Sequence, residues 1–153
     1  MMSKAAIQTS RAITFAGRNG SFEIGPQPGI KQLWVKFMED FGRIDGQVDM
    51  KSYGVCHNFD GKGRMDYMAA AEVSNAGVVP GYLHTLIIPA RKVAVFTHQG
   101  GIENLSETWG KIFSTWLPAE KLEVSPGAQF EVYSEDFDAD LGLGTIEIHI
   151  PVK

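Results

Sequence analysis

A chain of 153 residues is of a size for one domain that buries roughly two-thirds of its unfolded surface, so it folds without disulfide staples. Fourteen Lys plus Arg against eighteen Asp plus Glu leave a net charge of −4, without the basic stripe a phosphate backbone requires, which argues against direct DNA or RNA binding. The single cysteine, Cys56, excludes an internal disulfide framework and suits a reducing compartment. No apolar run reaches about 18 residues and Met1 to Arg11 lacks the apolar block of a signal peptide, so the expected location is cytoplasmic and no membrane contact is expected.

Taken in order, residues 1–11 read as a polar arm, Ala12 to Ala16 as a short strand, and Gly17, Asn19 and Gly20 as the turn that follows it. Pro28 suits a first helical position. Ile30, Leu33, Trp34, Phe37, Met38 and Phe41 trace an apolar stripe, and Gly42 is a natural exit from that helix. Tyr53 to Asn58 and Met65 to Ser74 read as a hairpin around Asp60, Gly61, Lys62 and Gly63. Tyr82 to Ile88 and Lys92 to Thr97 are strands around Pro89, followed by a His98, Gln99, Gly100, Gly101 loop. A second helix spans Asn104 to Trp116, where Leu105, Trp109, Ile112, Phe113 and Trp116 recur at spacings of three and four. A face this aromatic is expected to be buried. Asn104 with Glu107 predicts a capped start, and Pro118 predicts the end. In Phe130 to Tyr133 the side chains alternate, so Glu131 and Tyr133 share one face while Phe130 and Val132 share the other. A strand from Thr145 to Val152 closes the chain.

The order strand, helix, strand, strand thus occurs twice, over about residues 12–77 and 82–153. Phe15 through Gly20 parallels Phe96 through Gly101, and Trp34, Val35, Lys36 parallels Trp109, Gly110, Lys111. Self-similarity over this period reads as repeated supersecondary units. The expected fold is α+β, with two pseudo-symmetric halves, an antiparallel sheet and two main helices enclosing a central pocket.

The run Val95, Phe96, His98, Gly100, Leu105, Thr108, Trp109, Trp116, Leu117, Pro118, Phe130, Glu131, Tyr133, Glu147, Ile148, Ile150, Pro151, Val152 resembles the GyrI-like small-molecule-binding domain, which also serves as the effector-binding half of AraC-type and related bacterial regulators. Tyr53, Gly54, Val55 and the Met65 to Val73 strand fit the family's earlier hairpin. The resemblance covers residues 12–153. It implies a two-fold repeat around an aromatic pocket, a strand glutamate at its floor, and lipophilic, often cationic, ligands. Glu131 matches that glutamate. With no helix-turn-helix segment in the sequence, the chain reads as the stand-alone form, whose relatives include a gyrase-inhibiting toxin antagonist and hydrolases of cyclopropane-bearing genotoxins. A shared fold does not choose among these.

The expected ligand-binding residues are Glu131, Trp109, Tyr133, Trp34, Tyr53, Tyr67, Trp116 and Phe113. Their alternative is plain core packing for the aromatics and a water-facing strand position for the glutamate. Trp109 leads the aromatics because it lies mid-helix and has a counterpart in Trp34, and two facing indoles would make a cage for a cation. His57, His84, His98 and His149 are dispersed without a zinc motif, and His98 reads as a solvated loop residue. Glu135, Asp136, Asp138 and Asp140 lack EF-hand spacing and read as a solvated turn, and Gly142 with Gly144 as a hairpin turn rather than a phosphate loop. No metal and no cofactor are expected. The preferred function is binding of aromatic cationic amphiphiles, for sensing or sequestration. A hydrolase with Glu131 as general base and Tyr133 assisting is the second reading, and an interaction with gyrase or a regulator is the third.

Overall fold

In a computed structural model, which describes residues 5–98 and 100–153, the chain forms eight strands and two main helices. They are β1 (Ala6–Ser10), β2 (Ile13–Glu23), α1 (Pro28–Phe37), β3 (Ser52–His57), β4 (Arg64–Glu72), β5 (His84–Ile88), β6 (Arg91–His98), α2 (Leu105–Lys111), β7 (Gln129–Tyr133) and β8 (Ile146–Pro151). All eight strands join one sheet in the order β1-β6-β8-β7-β3-β4-β2-β5, and every neighbouring pair is antiparallel. Exchanging β1 with β5, β2 with β6, β3 with β7 and β4 with β8 reverses this order onto itself. The fold is therefore α+β and two-fold in its strand plan, with β3 and β7 as the central pair.

The order also forces curvature. A flat sheet would separate β5 from β6 by six strand spacings, roughly 29 Å, yet the three Cα steps from Ile88 to Arg91 span at most about 11 Å. Ser10 and Ile13 impose the same demand on β1 and β2. The sheet curls on the face away from the helices, where Phe15, Tyr53, Val55, Met68, Ala70, Ile88, Phe130 and Val132 form one cluster without any helical residue. On the other face, α1 seats Phe37 against Ala16, Ala69, Ala71 and Val73. The α2 region there seats Leu105, Ile112 and Leu117 against Phe96, Ile146, Ile148 and Ile150. Small alanines let a helix approach the sheet closely, and each fully buried Phe or Ile contributes about 1.5–3 kcal/mol.

Four local expectations are corrected. Ala6–Ser10 is not an arm but the edge strand β1, polar because it adds to β6 through its backbone while its side chains stay exposed. Residues 1–4 and Gln99 lie outside the described residues. Gly17, Asn19 and Gly20 form no turn; they run inside β2, paired with Ala70, Met68 and Tyr67. A Cβ on Gly17 would lie 1.9 Å from the Ala69 carbonyl oxygen, so that glycine permits close strand approach rather than a bend. Asn104 makes no side-chain cap; the helix is entered through a 3-10 turn at Ile102–Asn104. Nor does Pro118 stop the helix directly. Ile112–Trp116 widens into a π turn, with the Leu117 N–H reaching the Ile112 carbonyl, and the path continues through Leu117–Ala119.

Candidate functional site

Glu131 lies in β7, directly opposite Gly54 of β3, at the centre of the sheet and on the helical face. Its side chain is buried. Strand alternation puts Tyr133 on the same face, where its hydroxyl donates to Glu131 Oε1 at 2.7 Å. The Trp109 indole N–H, carried by α2, donates to Glu131 Oε2 at 2.8 Å. From the first half, the Tyr67 hydroxyl of β4 donates to Oε1 at 3.5 Å and accepts from the Trp34 indole N–H of α1 at 3.0 Å. The Trp34 ring also meets Tyr133 edge-on, with centroids 5.6 Å apart. Four aromatic residues from four different elements thus converge on one carboxylate.

Burial raises the Glu131 pKa above its ordinary value, and the hydrogen bonds from Tyr133, Trp109 and Tyr67 and the field of His98 pull it back in part. Burial first, and the Glu131 charge second, push the Tyr67 and Tyr133 hydroxyls well above the usual phenol range. Both therefore stay protonated and remain donors. Among the described residues, every hydrogen-bond partner of the carboxylate is neutral and no Lys or Arg pairs with it. A buried carboxylate that accepts only from neutral donors, with no Lys or Arg beside it among the described residues, lacks a paired counter-charge.

Two contributors escape a reading of the sequence alone. Gly54 has no side chain where a Cβ would stand 2.1 Å from the Tyr67 hydroxyl oxygen and 2.7 Å from Glu131 Oε1. The glycine is what lets the acid and the phenol share the space, and its only signal is a Gly inside a strand pattern. His98 is buried at the end of β6 instead of solvated in a loop. Its Nε2–H donates to the Gly101 carbonyl at 2.8 Å and its Nδ1 lies 2.7 Å from the Thr108 hydroxyl, which ties the entry of α2 to the sheet.

The remaining expected site residues separate. Tyr53 points to the opposite face and packs on Phe15 and Phe130, because it is one residue out of phase with Gly54. Trp116 stacks on Phe96 at 6.0 Å, as core. Phe113 is 41% exposed and stacks nearly parallel on the half-buried Trp109 at 6.3 Å, so the aromatic face of this helix is only partly covered. Trp34 and Trp109 deliver their N–H groups to the same network without forming a face-to-face pair. A cavity of about 680 Å³ lies on the other face, around Leu86, Ile88 and Arg91.

A curled antiparallel sheet with two helices over a central buried acid and aromatic side chains is the frame of the site. The model of the GyrI-like small molecule binding domain matches residues 6–153, and the chain belongs to that family. It is 34% identical over 132 residues to the transcriptional regulator BrlR of Pseudomonas aeruginosa, covering 84% of this chain and 48% of the regulator. The chain thus spans about half the length of that curated relative. Among solved structures, SAV2435 bound to tetraphenylphosphonium superposes with a TM-score of 0.78 at 21% identity, covering 99% of this chain and 94% of the other. An integron cassette protein of Vibrio cholerae gives 0.73 at 17% identity, with 99% and 97% covered. Among the described residues no helix is long and apolar enough to cross a membrane.

Proposed function

We propose that the chain binds lipophilic aromatic cations at Glu131, as an effector-sensing or sequestering module. The carrying observation is the buried carboxylate whose partners are all neutral donors. The ligand of SAV2435, a phosphonium carrying four phenyl groups, is a cation of this kind, on a chain of the same fold. Such a cation has no N–H to donate, so it leaves the carboxylate's hydrogen bonds in place and is held by charge and by aromatic faces. Entry runs past the Trp109 and Phe113 pair, the most exposed wall of the cage, on a helix that is short and already widened by the π turn. On this reading the closed cage is the empty state, and the ligand opens it by displacing those two rings.

Titration of tryptophan fluorescence with tetraphenylphosphonium is the direct test, since two indoles belong to the cage. Saturable quenching is expected. Glu131→Gln keeps the shape but removes the charge, and it should cost the cation roughly 1.5–3 kcal/mol while sparing a neutral ligand of similar shape. Equal losses for cationic and neutral ligands would remove Glu131 from the site. A hydrolase reading is favoured by one observation, the raised Glu131 pKa, which moves a carboxylate towards the range of a general base. A strained electrophile recovered unchanged after prolonged incubation would dismiss it.

A further inference from the structure

The cavity of about 680 Å³ on the curled face is lined by Arg91, where β6 begins, and by the apolar Leu86, Ile88, Pro89, Pro126 and Val152. The Arg91 guanidinium lies 5.8 Å from the centre of the Phe130 ring. Its Nε and Nη2 are buried, and among the described residues neither finds a hydrogen-bond partner. Its Nη1 lies 3.2 Å from where a Cβ on Gly127 would stand, so the turn that closes the cavity passes directly beside the charge. His149 stacks on the same Phe130 ring at 4.7 Å, and its Nδ1 is buried and unpartnered too.

Arg91 is half-buried as a residue, but two of its three side-chain nitrogens are cut off from water without a partner among the described residues. Buried guanidinium groups are normally paired, because taking the charge from water costs several kcal/mol that only a carboxylate, phosphate or full set of acceptors offsets. The contrast within this chain is direct. Arg11 grips both oxygens of the buried Glu72, and that pairing raises its pKa. Burial alone acts on Arg91 and lowers its pKa, with no carboxylate to offset it. Asp66, an acid of the same cavity, is engaged by the side-chain amides of Asn19 and Asn58, each at 3.3 Å. No salt bridge joins it to Arg91 among the described residues.

We infer that this cavity is a second ligand site, independent of Glu131, which takes an amphipathic organic anion: a carboxylate bound by Arg91 and an apolar body laid along Leu86, Ile88, Pro89 and Pro126. The planar guanidinium offers the donors a carboxylate matches in pairs. Arg91 sits on β6 and Glu131 on β7, on opposite faces of one sheet, so a single chain presents a half-buried cation on one side and a buried carboxylate on the other.

Calorimetric titration with phenylbutanoate and its neutral isostere phenylbutanol tests this on the whole chain. Phenylbutanoate should give saturable binding to wild type and to Glu131→Gln alike, and phenylbutanol should bind more weakly. Arg91→Gln should lose roughly tenfold to hundredfold in affinity for phenylbutanoate, the span of a charge-assisted contact. Arg91→Lys, which keeps the charge but not the fork, should fall between the two. Circular dichroism checks that each variant is folded, and removal of an unpaired buried charge should not lower stability. Absence of phenylbutanoate binding to folded wild type, equal binding to Arg91→Gln, equal binding of phenylbutanol, or loss of binding in Glu131→Gln would each overturn the assignment.

Discussion

The two halves of the molecule share a strand plan and differ where it matters. Each sends one indole N–H to the middle of the sheet, but Trp34 donates to a neutral phenol and Trp109 to a carboxylate. At the central strand pair the second half supplies Glu131, and the first answers with Gly54. The helices differ as well. α1 is an unbroken stretch of ten residues, whereas α2 has seven before the π turn. A duplicated scaffold thus gains one asymmetric site by placing the acid in one copy, the empty space in the other, and the looser helix over the acid. On the proposed reading, the first half is the wall of the site and the second half its door.

Filling the empty space should break this arrangement most severely. Gly54→Ala puts a Cβ within 2.1 Å of the Tyr67 hydroxyl oxygen, and both rings and strands around it are buried. The expected loss is about 3 kcal/mol of stability by denaturant unfolding, at the upper end for overpacking, together with loss of the cation site. Near-wild-type stability would mean that Gly54 is not a steric requirement. The two indoles offer a finer comparison. Trp109→Phe removes a donor from a charged acceptor and should cost about 1.5 kcal/mol, while Trp34→Phe removes one from a neutral acceptor and should cost about 0.5 kcal/mol. Equal costs would show that the halves are electrostatically alike after all.

What could be read in the sequence follows the same physics. Period-two alternation placed Glu131 and Tyr133 together and Phe130 apart, because a strand has no freedom to do otherwise. Helical spacing likewise picked out Trp34 and Trp109. Tyr53 separates from Glu131 because its face depends on register: Gly54, not Tyr53, pairs with Glu131, and a one-residue offset sends a side chain through the sheet. The turn expected at Gly17–Gly20 failed because glycine serves two ends, bending a chain or letting two backbones approach, and only the partner strand β4 distinguishes them. Pro118 misled for a related reason. The five-residue hydrogen bond from Leu117 to Ile112 shifts the backbone pairing just before the proline, a rearrangement that no local propensity encodes. Arg91 was invisible to any motif, since what marks it is the absence of an acid in three dimensions.

The smallest expected effect concerns protons and belongs to the second half alone, because Gly54 carries nothing to titrate. Burial is the largest influence on Glu131 and raises its pKa above the ordinary 4.5. Between that value and the raised one, the folded chain holds more of the proton than the unfolded chain, so the free energy of unfolding falls as pH rises. This stabilisation is complete below the unfolded pKa and is lost as pH rises through the folded pKa. One proton bounds the slope at about 1.4 kcal/mol per pH unit, and the three opposing hydrogen bonds keep it smaller. Urea unfolding of wild type and Glu131→Gln, stepped from about pH 4.5 to 7, isolates the effect as a difference in which the other titrating groups cancel. The wild type should lose ground to the variant as pH rises. A bound cation reverses the sign: it favours the ionised acid, so its affinity should grow with pH over the same window, and linkage requires it to lower the pKa of Glu131 to the same extent. Trp109→Phe removes a donor that favours the ionised form, so it should move the upper edge of the window, set by the folded pKa, further upward. Unfolding curves of wild type and Glu131→Gln that stay parallel across the range would mean that Glu131 titrates like an exposed carboxylate, and the electrostatic difference between the halves would go with it.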